Sequence, residues 1–220
     1  MDTSPRLTSI PASCFAILVA LACAEIALCD TVGFDHAKVG TAPVDFEYWR
    51  TGQGGAGKWM VVSDSSAIGG RALEQVSTEK TDYRFPLAIY KPVTAENLNI
   101  LVRFKSVSGM VDQAGGIAVR LLTPDDYYVV RANALENNVR FYKVIKGQRE
   151  QLASADIIVP SNVWNELTLK AEGENFSISF NGKPLFTTSD NALTKPGKIA
   201  LWTKADSVTR FGKFDIEILK

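Results

Sequence analysis

Short apolar segments with a period of two follow one another along the chain after Asp30, and they constrain the fold more than any other feature. Every second residue is apolar in 165–172, in 175–181 and in 214–218. A strand places such residues on one face, whereas a helix would scatter them around its circumference. Gly, Asn, Asp and Pro separate the segments about every eight to twelve residues, which is typical of antiparallel sandwiches and barrels. The pattern predicts one all-β domain, a two-sheet antiparallel jelly-roll sandwich, over residues 30–220.

Two turns support this assignment. Asn181-Gly182 lies between the alternating segments SISF and KPLF. Both residues tolerate the positive φ angles of a type I′ turn, so the sequence predicts a β-hairpin here. Glu136-Asn137-Asn138 separates YYVVRANAL from VRFYKVI and predicts a second hairpin.

Composition excludes several function classes. The 220 residues include 24 Lys and Arg, 24 Asp and Glu, and a single histidine, His36. This even charge balance is atypical of a protein that neutralises phosphate backbones, so no nucleic-acid partner is expected. A single imidazole excludes metal sites that need two histidines, and any Ser-His-Asp triad that does not use His36. The position of His36 near the start of the domain favours an exposed loop residue.

The N-terminal segment predicts export. Residues 7–24 carry no charge, and the strongly apolar part from Cys14 to Ala24 has the length of a signal-peptide core. Ala22-Cys23-Ala24 fits a cleavage site, so residues 1–24 are predicted to be a signal peptide, with a second choice of cleavage after Cys29. The expected location is secreted or periplasmic, with no stable membrane insertion after cleavage. Two alternatives remain, lipid anchoring at Cys23 or Cys29 and a retained membrane helix.

Two kinds of functional motif match the sequence only in part. Residues 52–58, GQGGAGK, satisfy both a phosphate-loop and a dinucleotide-loop spacing, but both motifs require a following helix, and KWMVVSD reads as a strand. A flexible turn before a strand is therefore predicted. Laminarinase-type glucanases carry three acids in alternation on one strand. Asp215-Ile216-Glu217 has the spacing of two but lacks the third acid, so an enzymatic role is left undecided.

Polar and aromatic residues in the middle of the chain form the candidate ligand site. If Ile117, Val119 and Leu121 face the core, Arg120 faces outward, and alternation on the neighbouring strands brings further side chains to the same open face. The predicted ligand-binding residues are Arg120, Arg131, Asn133, Tyr142, Trp202 and Lys204. Guanidinium groups, an amide and aromatic rings suit a sugar or a carboxylate ligand. The alternative is that the long basic side chains only cover the sheet with their aliphatic stems.

The same stretch carries a family resemblance. The blocks GGIAxR at 115–120, DDYYxxRANALENNVR at 125–140 and GKIALWTKADSVTxF at 197–211 resemble secreted bacterial proteins of the 3-keto-disaccharide hydrolase family, also described as glucanase-like or laminin-G-like. This resemblance implies a concanavalin A-like jelly roll with two antiparallel sheets of about six or seven strands, one convex and one concave. It implies carbohydrate binding or turnover less directly, because the fold hosts several functions.

The favoured hypothesis is an exported carbohydrate-binding domain that uses the concave sheet face for a saccharide or glycan. The alternatives are a glycoside hydrolase acting on a 3-keto-disaccharide or a glucan, and a structural envelope or adhesion module. Related sandwiches often bind a structural calcium ion through oxygen ligands. Asp35, Asp206 and Asp215 are the candidates here, but no calcium-loop spacing supports them, so no metal site and no cofactor are predicted.

Overall fold

The computed structural model of the protein describes residues 1–2 and 29–220. The predicted signal peptide falls almost entirely outside the described residues and stays a prediction, as does the domain boundary that follows it. None of the helices in the described part of the chain is long and apolar enough to cross a membrane.

Fifteen strands and one short 3-10 helix, Ile68–Gly70, make up the described chain. The strands are β1 Cys29–Val32, β2 Phe46–Gly52, β3 Trp59–Ser63, β4 Arg71–Gln75, β5 Arg84–Ala95, β6 Leu98–Ser108, β7 Ala114–Thr123, β8 Asp126–Asn133, β9 Asn138–Ile145, β10 Gln148–Asp156, β11 Asn165–Glu172, β12 Asn175–Phe180, β13 Lys183–Ser189, β14 Gly197–Trp202 and β15 Val208–Ile218.

These strands form two antiparallel sheets that pack as a sandwich, so the predicted fold class is confirmed. The seven-stranded sheet has the order β10-β9-β8-β7-β14-β5-β2. The eight-stranded sheet has the order β13-β12-β11-β6-β15-β4-β3, and β1 pairs with the C-terminal half of β15. The sheets have eight and seven strands, close to the six or seven each that the family resemblance implies.

Both predicted hairpins are present. β12 pairs with β13 around Asn181 and Gly182, whose φ angles are 48° and 74°. β8 pairs with β9 around the turn that contains Asn137, which has a φ of 51°. Asn and Gly populate this left-handed region at low energetic cost, which is why the turn residues marked the strand ends.

Aromatic side chains between the two sheets form the centre of the core. Tyr128 and Phe141 from the seven-stranded sheet meet Phe176 from the eight-stranded sheet, with ring centroids 4.6 Å and 4.8 Å from the Phe176 ring. Each large side chain that is fully buried stabilises the fold by about 1.5–3 kcal/mol relative to an exposed one. The alternation read from the sequence therefore corresponds to real burial against the opposite sheet.

The glycine-rich loop at 52–58 precedes strand β3, as predicted. The fully buried guanidinium group of Arg84 occupies the inner side of this loop, donating to the carbonyl oxygens of Gly55 at 2.7 Å and Ala56 at 3.0 Å. The backbone N–H of Gly55 donates in turn to the carboxylate of Glu79 at 2.9 Å. The loop is therefore organised around the buried Arg84 guanidinium and the partly exposed Glu79 carboxylate.

Arg120 does not face outward, and that prediction was wrong. A β-bulge interrupts the pairing of β7 with both neighbouring strands, and Arg120 sits in it with a φ of 48°. This extra residue reverses the alternation, so that Leu121 joins the apolar cluster on the outer face while Arg120 turns inward. There its guanidinium lies 5.2 Å from the Phe176 ring centroid and donates to three backbone carbonyl oxygens, those of Glu96, Gly173 and Leu193.

Replacing Arg120 tests this structural role. Arg120→Gln removes donors from buried carbonyl oxygens, and an unsatisfied buried acceptor is costly. We expect the free energy of unfolding, measured by urea denaturation, to fall by about 2–4 kcal/mol. Arg103→Gln is the matched control, since Arg103 is partly exposed and its nearest carboxylate oxygen, on Glu166, is 3.6 Å away. That variant should lose less than about 1 kcal/mol, and equal losses in the two variants would contradict the assigned role.

Candidate functional site

The seven-stranded sheet curls around its outer face, which we call the concave face. Side chains of the edge strand β2 and the inner strand β8 meet across it, because the Thr51 hydroxyl lies 2.8 Å from the Tyr127 hydroxyl. Tyr83, just before β5, donates its hydroxyl to the carbonyl oxygen of Gly147 in the β9–β10 turn at 2.7 Å. β2 and β8 are separated by three intervening strands, so contacts of this kind require strong curvature and twist.

Aromatic residues fill the centre of the concave face beneath these contacts. The Trp202 and Phe85 rings stack with centroids 5.3 Å apart, and the Trp202 indole N–H donates to the Tyr127 hydroxyl at 3.3 Å. Burial raises the pKa of Tyr127 to about 12, so the hydroxyl stays protonated at neutral pH. Trp202 is fully buried, and the expectation that its ring is open to stack on a sugar was wrong. It supports the floor of the concave face instead.

Arg131 is the centre of a polar network beside this aromatic floor. It donates to the Glu136 carboxylate at 2.7 Å, to the Asn138 side chain, and to the Tyr142 hydroxyl at 3.4 Å. Arg131 itself is 3% exposed, but the side chains of Glu136 and Arg140 are 38% and 36% exposed. The network therefore has a buried base and a rim that solvent reaches.

Charge interactions set the ionisation of the Glu136 carboxyl. Burial alone would raise its pKa, but the Arg131 guanidinium, the Asn138 amide and the Arg140 charge together hold the pKa below its ordinary value. Glu136 is therefore ionised at neutral pH, and it offers acceptor oxygens beside the exposed guanidinium of Arg140.

Asn133 links this network to a second one at the same end of the sheet. Its amide donates to the buried Asp112 carboxylate at 2.7 Å, and its carbonyl oxygen accepts from the backbone N–H of Leu135 at 2.9 Å. Lys204 bridges Asp112 at 2.9 Å and the exposed Asp82 at 2.7 Å. Burial raises the pKa of Asp112, although Lys204 opposes this. Burial would lower the pKa of Lys204, but its contacts with Asp82 and Asp112 raise it.

A glycine separates the aromatic floor from the Arg131 network. Gly116 pairs with Trp202 on β14 and with Arg131 on β8, so the position between these two side chains carries no side chain of its own. A Cβ built at Gly116 would lie 2.6 Å from the carbonyl oxygen of Val130 and 3.1 Å from the Arg131 Cβ. Any larger residue would therefore displace the β8 strand.

Of the six predicted ligand-binding residues, five face the concave side or its end. Arg131 and Tyr142 touch each other, Asn133 and Lys204 meet at Asp112, and Trp202 lies beneath; Arg120 is on the opposite side. Whether these residues contact a ligand stays a prediction.

The six predicted ligand-binding residues leave out three acidic residues and two arginines of this face, which are Asp82, Asp112, Glu136, Arg140 and Arg149. The acids Asp82 and Asp112 come from loops whose positions alternation does not give. Arg149 lies on the edge strand β10, and its place opposite Val144 in the β9–β10 pairing was the signal that could have identified it.

The calcium candidates lie in different settings. The Asp206 carboxylate accepts three backbone N–H groups, from Met110, Val111 and Asp112. Asp215 accepts from the Thr31 hydroxyl, and Asp35 lies 3.0 Å from the exposed His36 imidazole. Within the described residues, no group of three or more His, Cys, Asp or Glu side chains could hold a metal ion. The structural calcium ion stays untested.

Comparisons with known proteins agree on the fold. One similar solved structure is the carbohydrate-binding module CBM66 from Bacillus subtilis, with a TM-score of 0.57 and 19% sequence identity; the match covers 71% of this chain and 91% of the module. Another is domain 4 of AbnA, an extracellular GH43 arabinanase from Geobacillus stearothermophilus, in complex with arabinotriose. Its TM-score is 0.57 at 12% identity, and the match covers 88% of this chain and 94% of that domain. A third is the Bacillus licheniformis β-glucanase, with a TM-score of 0.56 and 10% identity; the match covers 90% of this chain and 100% of the glucanase chain. At these identities the likeness concerns the fold, and it confirms the predicted concanavalin A-like jelly roll.

A search of curated proteins finds no match to this chain. A protein-family model does match it, over residues 93–219, which include β6 to β15 and most of the concave face. The chain therefore belongs to the family described as the C-terminal lectin domain of galactocerebrosidase.

Proposed function

We propose that the protein binds a saccharide at the concave face, at the end formed by the Arg131 network and Lys204. The observation that carries this proposal is the arrangement of Glu136, Arg140 and Lys204 around one end of the curled sheet, next to buried aromatic rings. Membership of a lectin-domain family and similarity to a carbohydrate-binding module support the same function.

The chemistry of these groups suits sugar hydroxyls. The ionised Glu136 carboxylate accepts hydrogen bonds, while Arg140 and Lys204 donate them. Neighbouring hydroxyl groups of one sugar ring can therefore act as donors to Glu136 and as acceptors from Arg140 and Lys204. The buried partners hold these side chains in place: Arg131 positions Glu136, and Asp112 positions Lys204. A ligand then immobilises few additional rotamers, which lowers the entropic cost of binding.

Two rim variants test the position of the site. Arg140→Gln and Glu136→Gln change partly exposed side chains and leave the aromatic floor intact. We expect each to weaken binding of the best ligand on a glycan array by about tenfold, because a hydrogen bond to a charged group contributes about 1.5–3 kcal/mol. The affinity is to be measured by isothermal titration calorimetry with the purified protein.

Lys170→Gln is the matched control. Lys170 is 44% exposed on β11 of the other sheet and pairs only with Glu172, at 2.7 Å. Its affinity should match that of the unmodified protein. Equal affinities of all three variants and the unmodified protein would place the ligand elsewhere, and the absence of binding to any glycan would contradict the proposed function.

Glycoside hydrolysis is the second candidate, and the carboxyl groups of Asp112 and Glu136 favour it. Asn133 links the two residues, because it donates to the Asp112 carboxylate and accepts from the backbone N–H of Glu136. Burial raises the pKa of Asp112, whereas the pKa of Glu136 is lowered despite its own partial burial, because Arg131 opposes that effect. Glycosidases use two carboxyl groups whose surroundings shift their pKa values in opposite directions. Binding ranks first because Asp112 is only 1% exposed and lies against Lys204.

Release of sugar separates these two functions. Under the hydrolytic hypothesis, the unmodified protein releases reducing sugar from a panel of 3-keto-glycosides and glucan oligosaccharides. Glu136→Gln should then lower the rate by roughly 100-fold or more, which is the typical contribution of a positioned carboxyl group. Glu172→Gln, on the other sheet, is the control and should keep the rate. No release by the unmodified protein would exclude hydrolysis of these substrates.

Export is also part of the proposal, with residues 1–24 acting as a cleaved signal peptide. Expression of the full chain in a bacterial host should give a shortened protein in the periplasm or medium, because an apolar core followed by Ala-x-Ala is recognised and cut. N-terminal sequencing should begin at Glu25, or at Asp30 for the second cleavage site. Retention of the intact chain in the membrane fraction would contradict this proposal.

A further inference from the structure

Among the described residues of the concave face, Arg149 on β10 is the arginine whose guanidinium contacts only aromatic rings. Its guanidinium carbon lies 4.4 Å from the centroid of Tyr142 and 4.9 Å from that of Phe85. The Nη1 atom is buried from solvent and has no hydrogen-bond partner among the described residues. Aromatic faces attract the positive charge of a guanidinium, but they do not replace the acceptor that its N–H groups need.

No carboxylate in the described part of the chain pairs with Arg149. Neighbouring acids have other partners: Glu150 pairs with Lys143 at 3.4 Å, and Asp126 accepts from the backbone N–H of Lys146 at 3.0 Å. Glu136 is shared by Arg131 and Arg140. Of the three guanidinium groups that β8 to β10 place on the concave face, those of Arg131 and Arg140 therefore pair with Glu136, and that of Arg149 has no carboxylate partner among the described residues.

The two fully buried arginines, Arg84 and Arg120, show how a buried guanidinium group can be satisfied completely. Arg84 donates from all three of its nitrogen atoms to backbone carbonyl oxygens, and so does Arg120. Leaving a buried N–H of a charged group without an acceptor lowers stability. An anion that approaches the partly exposed Arg149 side chain from solvent would supply the acceptor that this guanidinium lacks.

We propose that the saccharide bound at the concave face is acidic, and that Arg149 binds its carboxylate or sulfate group. The inference rests on the proposed saccharide-binding function and adds the ligand class. A guanidinium fork matches the two oxygens of a carboxylate, and it also fits sulfate. Tyr142 lies between Arg149 and Arg131, so an acidic sugar bound at Arg149 has its remaining hydroxyls within reach of the Glu136 and Arg140 rim.

Matched glycans test this inference. An array carries oligosaccharides that contain uronic acids or sulfate esters, each beside its neutral counterpart, for example trigalacturonate beside galactotriose. We expect the protein to bind the acidic member of its best pair at least tenfold more tightly at low salt, and to lose part of this preference as sodium chloride is raised. The uronate and sulfate arms show which anion is preferred.

Arg149→Gln should reduce affinity for the acidic member to that of the neutral member and change the neutral affinity less than twofold. Arg149→Lys keeps the charge but not the fork, so it should retain an intermediate preference even if the glutamine variant fails to fold. Arg103→Gln is the control, since Arg103 lies over Trp164, at 5.9 Å from the ring centroid, on the other sheet. It should leave both affinities unchanged.

Three outcomes would overturn the inference. One is equal binding of acidic and neutral members by the unmodified protein, which would leave saccharide binding itself standing. Another is an acidic preference that persists in Arg149→Gln. The third is binding of no glycan on the array, which would overturn the proposed function together with this inference.

Discussion

Curling of the seven-stranded sheet is the constraint on which the rest of the concave face depends. The hydrogen bond between Thr51 and Tyr127, and that from Tyr83 to Gly147, join parts of the sheet that a flat arrangement would hold far apart. Beneath these contacts, Trp202 is fully buried, and it belongs to a second apolar cluster on the concave face. The sheet therefore buries side chains on both faces, and polar groups are displaced toward one end.

Sequence alternation predicted the sandwich, both hairpins and the shared face of Arg131, Asn133 and Tyr142, because these features depend on neighbours in the chain. It failed at Arg120, where one residue with a φ of 48° reverses the direction of the side chains that follow. Arginine is uncommon at positive φ, and the three carbonyl oxygens that hold it there come from distant segments. The burial of Trp202 was also beyond alternation, because it follows from curvature of the whole sheet.

The arginines of this protein divide by what surrounds the guanidinium group. Arg84 and Arg120 are enclosed by carbonyl oxygens and stabilise loops and strand ends. Arg131 is fixed by a carboxylate, an amide and a phenol, and it orders the rim around it. Arg149 has π faces on two sides and a buried donor without an acceptor. Charge count alone, which is even over the whole chain, does not reveal these differences.

Order in the Arg131 network has a consequence for affinity. Lectin-type sites on exposed surfaces bind hydroxyl groups in competition with water, so each hydrogen bond gives a small net gain. A rim whose charged groups are already oriented by buried partners avoids much of the entropic cost that free lysine and arginine side chains would incur. The exclusion of water around these buried partners also lowers the local dielectric constant, which strengthens charge–dipole interactions at the rim. Under the proposed function, the desolvation of Arg131 and Asp112, which is unfavourable for folding by itself, favours recognition of the ligand at the end of the sheet.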